Sequence, residues 1–137
     1  MRSVAVNSSM NAVPYTENIK SQPLSLIIDD ETDICFLLVA ILQNENIKNV
    51  CVNNLNDALL FLQSHDPAII FLDNKLPDGS GVEYIRAIKK NHPNTRIIMI
   101  TAHDNFRDKA IKEGADDFIT KPFSRSSILK SVESIVS

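Results

Sequence analysis

Asp73 stands where an apolar run gives out. It follows Ala68-Ile69-Ile70-Phe71-Leu72 and leads at once into Asn74-Lys75-Leu76-Pro77-Asp78-Gly79. An ionisable group leaving a hydrophobic strand for a Pro/Gly turn lies at the sheet edge where α/β folds meet their ligands. Other runs end alike: Leu24 to Ile28 delivers Asp29 and Asp30, Arg96 to Ile100 delivers Thr101, and Asp117 to Thr120 delivers Lys121. Adjacent carboxylates repel, so Asp29 and Asp30 brought up to Asp73 call for a compensating cation. Magnesium suits such a set, being hard and oxygen-ligated, whereas no His/Cys grouping points to zinc. Asp73 has three roles open to it: general base, metal ligand, or nucleophile that takes a phosphoryl group as an aspartyl-phosphate. The last role requires neutralised phosphoryl oxygens, a task for the metal and the Lys121 ammonium. Thr101 offers a hydroxyl donor to the same oxygens.

Such residues need a scaffold that gathers strand ends. Short aliphatic runs near 24–28, 48–52, 68–72, 96–100 and 117–120 alternate with helix-like stretches near 31–44, 56–64, 80–91, 104–113 and 124–135. In the first of these stretches Asp33, Phe36, Leu37, Ala40 and Ile41 recur at helical spacing, and in the second Ala58, Leu59 and Leu62 do. Asn56 and Ser124 suit helix starts, and Gly114 suits a helix stop. The alternation predicts right-handed βαβ crossovers: an α/β fold whose mostly parallel sheet is covered on both faces. The unbroken apolar character of 68–72 and 97–100 marks those two as central strands. Residues 1–22 are polar and aperiodic, which predicts a flexible tail ahead of one domain over 23–137.

The chain has 137 residues, 44% hydrophobic and 23% charged, a single-domain length and an ordinary globular composition. Its net charge is -3 with the cations scattered, which argues against binding a nucleic-acid backbone. No run approaches the ~20 apolar residues of a membrane span, and the N-terminus lacks the apolar core of a signal peptide. Without an export signal, Asn7-Ser8-Ser9 is a chance match to a glycosylation acceptor. Cys35 and Cys51 lie in apolar runs and predict two free core thiols in a reducing, cytoplasmic setting. Gly79 and Gly81 bracket Ser80 in a turn, but no phosphate-cradling glycine motif is present, so a nucleotide site is unsupported. His65 and His92 are expected as helix C-terminal caps; His103 lies closer to the site and could modulate it.

In order along the chain, Asp29-Asp30, Asp73 with Leu76-Pro77-Asp78-Gly79-Ser80-Gly81, Thr101-Ala102, and the stretch from Gly114 to Phe123 resemble a response-regulator receiver domain of bacterial two-component and phosphorelay signalling. The resemblance spans residues 24 to about 136. It implies a doubly wound, five-stranded parallel sheet with helices on both faces, strand order 2-1-3-4-5, the (βα)5 flavodoxin-like receiver fold. It implies that Asp73 accepts a phosphoryl group from a phosphohistidine of a sensor histidine kinase or a histidine phosphotransfer protein. Magnesium, with manganese as a substitute, would be held by Asp30, by Asp29 directly or through water, by Asp73, and by the backbone carbonyl of Lys75. Thr101 and Lys121 would contact the phosphoryl group. Phe118 matches an aromatic residue that swings inward as the threonine moves; it lacks the hydroxyl of the tyrosine often found there. The surface of the fourth helix, fifth strand and fifth helix would then be remodelled for an effector protein or a homodimer. Lys75 and His103 occupy flanking positions where family members tune dephosphorylation. Such a domain promotes its own phosphoryl transfer and dephosphorylation without being a turnover enzyme.

The first helix carries more apolar residues, Ile34 through Leu42, than one buried stripe needs. The surplus either docks a kinase or phosphotransfer helix or packs on the final helix or the tail. Rival readings fare worse. A phosphatase of the haloacid-dehalogenase type needs an acid two residues past the acceptor, where this chain has Lys75. A flavodoxin-like binding module would want a phosphate loop in place of Asp29-Asp30. A phosphorylation-independent pseudo-receiver, acting as a protein-interaction module, would have no use for the full set of acids, threonine and lysine.

Overall fold

The computed structural model describes residues 22–136; the tail expected over 1–22 lies almost wholly outside the described residues. The order of elements is β1 (Leu24–Ile28), α1 (Thr32–Gln43), β2 (Lys48–Val52), α2 (Leu55–Leu62), β3 (Ile69–Leu72), α3 (Ile85–Asn91), β4 (Arg96–Thr101), α4 (Arg107–Glu113), β5 (Asp117–Thr120) and α5 (Arg125–Val136). The five strands form one parallel sheet in the order β2-β1-β3-β4-β5. Every strand and helix expected from the sequence is present. Two helices expected as single pieces begin instead with 3-10 turns, Gly81–Tyr84 before α3 and Asp104–Phe106 before α4.

Alternation along the strands builds two cores. Leu26, Ile28, Ile70, Leu72, Ile97, Met99 and Phe118 face Leu55, Ala58, Leu62, Val82, Ile85, Ile88 and Ala110. Ile27, Ile69, Phe71, Ile98, Ile100 and Ile119 face Leu38, Ile41, Leu42, Ile128 and Val132 on the other side. All four residues of β3 are buried, as its continuous apolar run requires of a central parallel strand. β2, at the edge, is only partly covered.

Several local expectations need correction. In α1 the buried residues are Leu38, Ile41 and Leu42, with Ile34, Cys35 and Val39 packed beside them. Phe36 and Leu37 point outward, 70% and 46% exposed. The helix is apolar around most of its circumference, so two overlapping stripes satisfy helical spacing, and the sheet takes the one beginning at Ile34. Likewise Leu55, not Leu59, completes the buried face of α2. That helix is capped by Asn54, whose side chain accepts from the Asp57 N–H at 2.7 Å; Asn56 lies inside it. The Asp78 carboxylate takes the Leu55 and Asn56 N–H groups at 2.8 and 2.9 Å, covering the remaining free donors of the helix start. Ser124 does cap α5, accepting from the Ser127 N–H, and Gly114 ends α4 in the left-handed region at φ 119°. His65 reaches the Phe61 carbonyl at its helix end, and His92 is the C-cap of α3 as expected, its N–H on the Ile88 carbonyl at 2.7 Å, while its ring turns to the Asp66 carboxylate at 2.8 Å. Both cysteines are free, yet Cys51 is exposed because β2 is an edge strand.

Candidate functional site

β1, β3, β4 and β5 all run the same way, so their C-terminal ends open on one edge of the sheet. The ladder continues one residue past three of them. The Asp29 N–H donates to the Val52 carbonyl at 3.1 Å, the Asp73 N–H to Ile28 at 2.9 Å, and the Lys121 N–H to Thr101 at 2.9 Å. These bonds set the backbone of each functional residue by the same geometry that makes the sheet. Beyond Asp73 the chain forms a two-residue hairpin, Lys75–Leu76 against Gly79–Ser80. Asn74, buried, holds the turn: its carbonyl accepts from the Gly81 N–H at 2.8 Å and its side chain from the Val82 N–H at 3.0 Å. Gly81 packs directly under the acceptor, where a Cβ would come within 2.2 Å of the Asp73 carbonyl oxygen.

The charged groups converge on Lys121. Its Nζ lies 2.9 Å from Asp29 Oδ2, 3.3 Å from Asp73 Oδ2 and 2.6 Å from Glu31 Oε1. Asp29 and Asp73 are buried, whereas Asp30 is exposed at the mouth. Burial first, and then the charge of Asp29, push the Asp73 carboxyl up to about 6, even though Lys121 pulls the other way. Burial also raises Asp29, against the bond from the Glu31 N–H and the contacts with Lys121. For Lys121, burial works against the charged form, but the bonds to Glu31 and Asp29 and the charge of Asp73 prevail and hold it above its ordinary range.

Asp29, Asp30 and Asp73 each offer a carboxylate oxygen within 4.8 Å of the others. A donor set made of oxygen, with two buried acids held above their ordinary range, fits a hard divalent cation. Thr101 is buried at the end of β4. It lines the same cleft as Asp30, Asp73, Lys75, His103 and Lys121. The Lys121–Pro122 peptide bond is cis.

The positions expected to carry the chemistry thus come together. Phe118 stands apart, buried in the core beside Met99, with the Arg107 guanidinium 4.8 Å from its ring centroid. Two partners escape sequence reasoning. Glu31 occupies the N-cap position of α1, but its side chain makes no cap bond and goes to Lys121. Its one sequence signal is that it makes a third consecutive acid. Arg107 over Phe118 has no local signal at all, since it depends on how α4 settles on β5.

Residues 25–133 match the family model described as "Response regulator receiver domain". Among solved structures, the chain is similar to the signal receiver domain of a Vibrio parahaemolyticus protein, at 30% identity and TM-score 0.78 over 85% of this chain and 91% of that one. It is also similar to the BeF3-activated receiver domain of DrrB, at 29% identity and TM-score 0.76 over 85% of this chain and 98% of that one. A third is a Burkholderia pseudomallei response regulator with a phosphorylated aspartic acid, a calcium ion and citrate, at 25% identity and TM-score 0.76 over 84% of this chain and 69% of that one.

Proposed function

The chain belongs to the response regulator receiver domain family, and from that premise we propose that Asp73 is its phosphoacceptor. The observation that carries the reading is the convergence of the Asp29 and Asp73 carboxylates within 3.3 Å of the Lys121 ammonium, at the C-terminal edge of the sheet. An Asp73 carboxylate oxygen attacks phosphorus of a phosphohistidine on a kinase or phosphotransfer protein. An O–P bond forms, the N–P bond breaks, and the imidazole leaves with its electron pair. Lys121 neutralises charge on the transferred group, and the Thr101 hydroxyl donates to one of its oxygens. Asp30, Asp73, the Lys75 carbonyl and Asp29, directly or through water, would hold magnesium, or manganese in its place, which would supply positive charge to the phosphoryl oxygens. The phosphorylated aspartate and calcium of the Burkholderia pseudomallei protein support this assignment.

The signal leaves through Thr101 and Phe118 to the face of α4, β5 and α5, which binds an effector or a second copy. The receiver unit runs over residues 23–137 behind a tail, and its two free thiols fit a cytoplasmic setting. Among the described residues, no helix is long and apolar enough to cross a membrane.

Incubation with magnesium and acetyl phosphate should add one phosphoryl group, ~80 Da by intact mass, and Asp73→Asn should lose the gain. No gain in the wild-type chain, or a gain persisting in that variant, sinks the assignment. Lys75 and His103 line the cleft and are both exposed. Lys75→Ala or His103→Ala should therefore change the decay rate of the +80 Da species by up to about tenfold, the effect of ~1.4 kcal/mol. Both variants should still be phosphorylated.

A further inference from the structure

We propose that Glu31 is a positioning residue: it holds the Lys121 ammonium while the site is free of phosphoryl and sets how readily that group is taken up. The inference rests on the phosphoacceptor reading above. Lys121 has three N–H donors and three carboxylates around it. The shortest contact, 2.6 Å, goes to Glu31; Asp29 stands at 2.9 Å and Asp73, the group Lys121 must serve, is the farthest at 3.3 Å. The three acids differ sharply in what losing the lysine would cost them. The Glu31 side chain is 59% exposed, against 3% for Asp29 and 6% for Asp73. A buried carboxylate stripped of its partner is left uncompensated, while an exposed one is taken up by water. When phosphoryl oxygens need a donor, the Glu31 bond is the one that yields.

The backbone fixes Glu31 for this task. Its N–H donates to Asp29 Oδ1 at 2.9 Å, and its carbonyl accepts from the Ile34 and Cys35 N–H groups at the start of α1. With the main chain pinned and no cap bond to make, the side chain is left to cross the cleft mouth to Lys121. Its negative charge there also opposes an arriving anion. Both effects have one sign: removing the charge of Glu31 frees Lys121 and favours occupancy.

The test uses beryllofluoride as the phosphoryl mimic, at saturating magnesium, with affinity read from the rise of the melting midpoint against concentration. Glu31→Gln should bind it about fivefold tighter than wild type at low salt, a gap that narrows as screening increases. Glu31→Asp, which keeps the charge, should stay within about twofold of wild type. Equal or weaker binding by Glu31→Gln overturns the proposal, as does a Glu31→Asp variant indistinguishable from it. A purely structural role would move the midpoint without ligand and leave the affinity unchanged. If wild type takes up neither beryllofluoride nor acetyl phosphate, the phosphoacceptor reading itself falls. If wild type responds and Glu31→Gln merely matches it, only the role of Glu31 is lost.

Discussion

Asp73→Asn should make the metal-free protein more stable at neutral pH, while the same change removes its capacity to accept phosphoryl. The folded chain holds the Asp73 carboxyl at about 6 against an ordinary 3.8, through burial and the charge of Asp29. An acid raised on folding favours the protonated folded state. Its favourable contribution is complete below the unfolded value and is lost as pH rises through the folded one. At pH 7.5 the ionised group therefore costs about 3 kcal/mol at most, and the Asn variant escapes that cost. In a chelator the variant should melt above wild type at pH 7.5, by up to about 12 °C. The gap should shrink as pH falls from 7.5 to 5, because wild type gains stability on protonation. Some pH dependence should survive in the variant, since Asp29 is raised too. Saturating magnesium should close much of the gap by stabilising wild type. Calorimetry over that pH range decides it; a metal-free Asn variant that melts at or below wild type would show that Asp73 sits there at ease.

Gly81→Ala should damage fold and site together. The added methyl would meet the Asp73 carbonyl oxygen at 2.2 Å and Leu72 side-chain atoms at 2.9 and 3.0 Å. A backbone oxygen cannot rotate away, so the acceptor's own peptide must shift. Overpacking of this kind costs about 3 kcal/mol. A displacement of even ~1 Å in a reacting group can cost on the order of a hundredfold in rate. The urea midpoint and the rate of phosphoryl gain from acetyl phosphate should both fall. Ser80→Ala, one residue away and exposed, should leave the midpoint within about 0.5 kcal/mol of wild type. A Gly81→Ala variant with an unchanged midpoint would mean that the hairpin gives way without strain.

The parts of this molecule that sequence shows and hides divide by physical cause. Asp29, Asp73, Thr101 and Lys121 are visible because each follows an apolar run, and a parallel sheet sends all such runs to one edge. The buried face of α1 is hidden because Ile34 to Leu42 is apolar nearly all round, and only the sheet selects a stripe. The exposure of Cys51 follows from β2 being an edge strand, which the order 2-1-3-4-5 implied by the resemblance contains and the apolar run around the cysteine does not. The pairing of Glu31 with Lys121 joins positions 90 residues apart through two side-chain rotamers, which no local pattern records. Backbone-determined features are legible; features decided by side chains crossing between elements are not.

The ladder bonds that run one residue beyond β1, β3 and β5 have a consequence in time. They tie the peptides of Asp29, Asp73 and Lys121 into the hydrogen-bond ladder of the sheet, so none of the three can leave its place without breaking a strand's own pairing. A donor arriving from solution meets these groups already in register and spends none of the encounter waiting for them. Glu31, Lys75 and His103 stand exposed at the mouth, where fluctuation is fast and shallow. The slow clock of the molecule therefore governs where the acceptor is, and the fast one governs who may approach it.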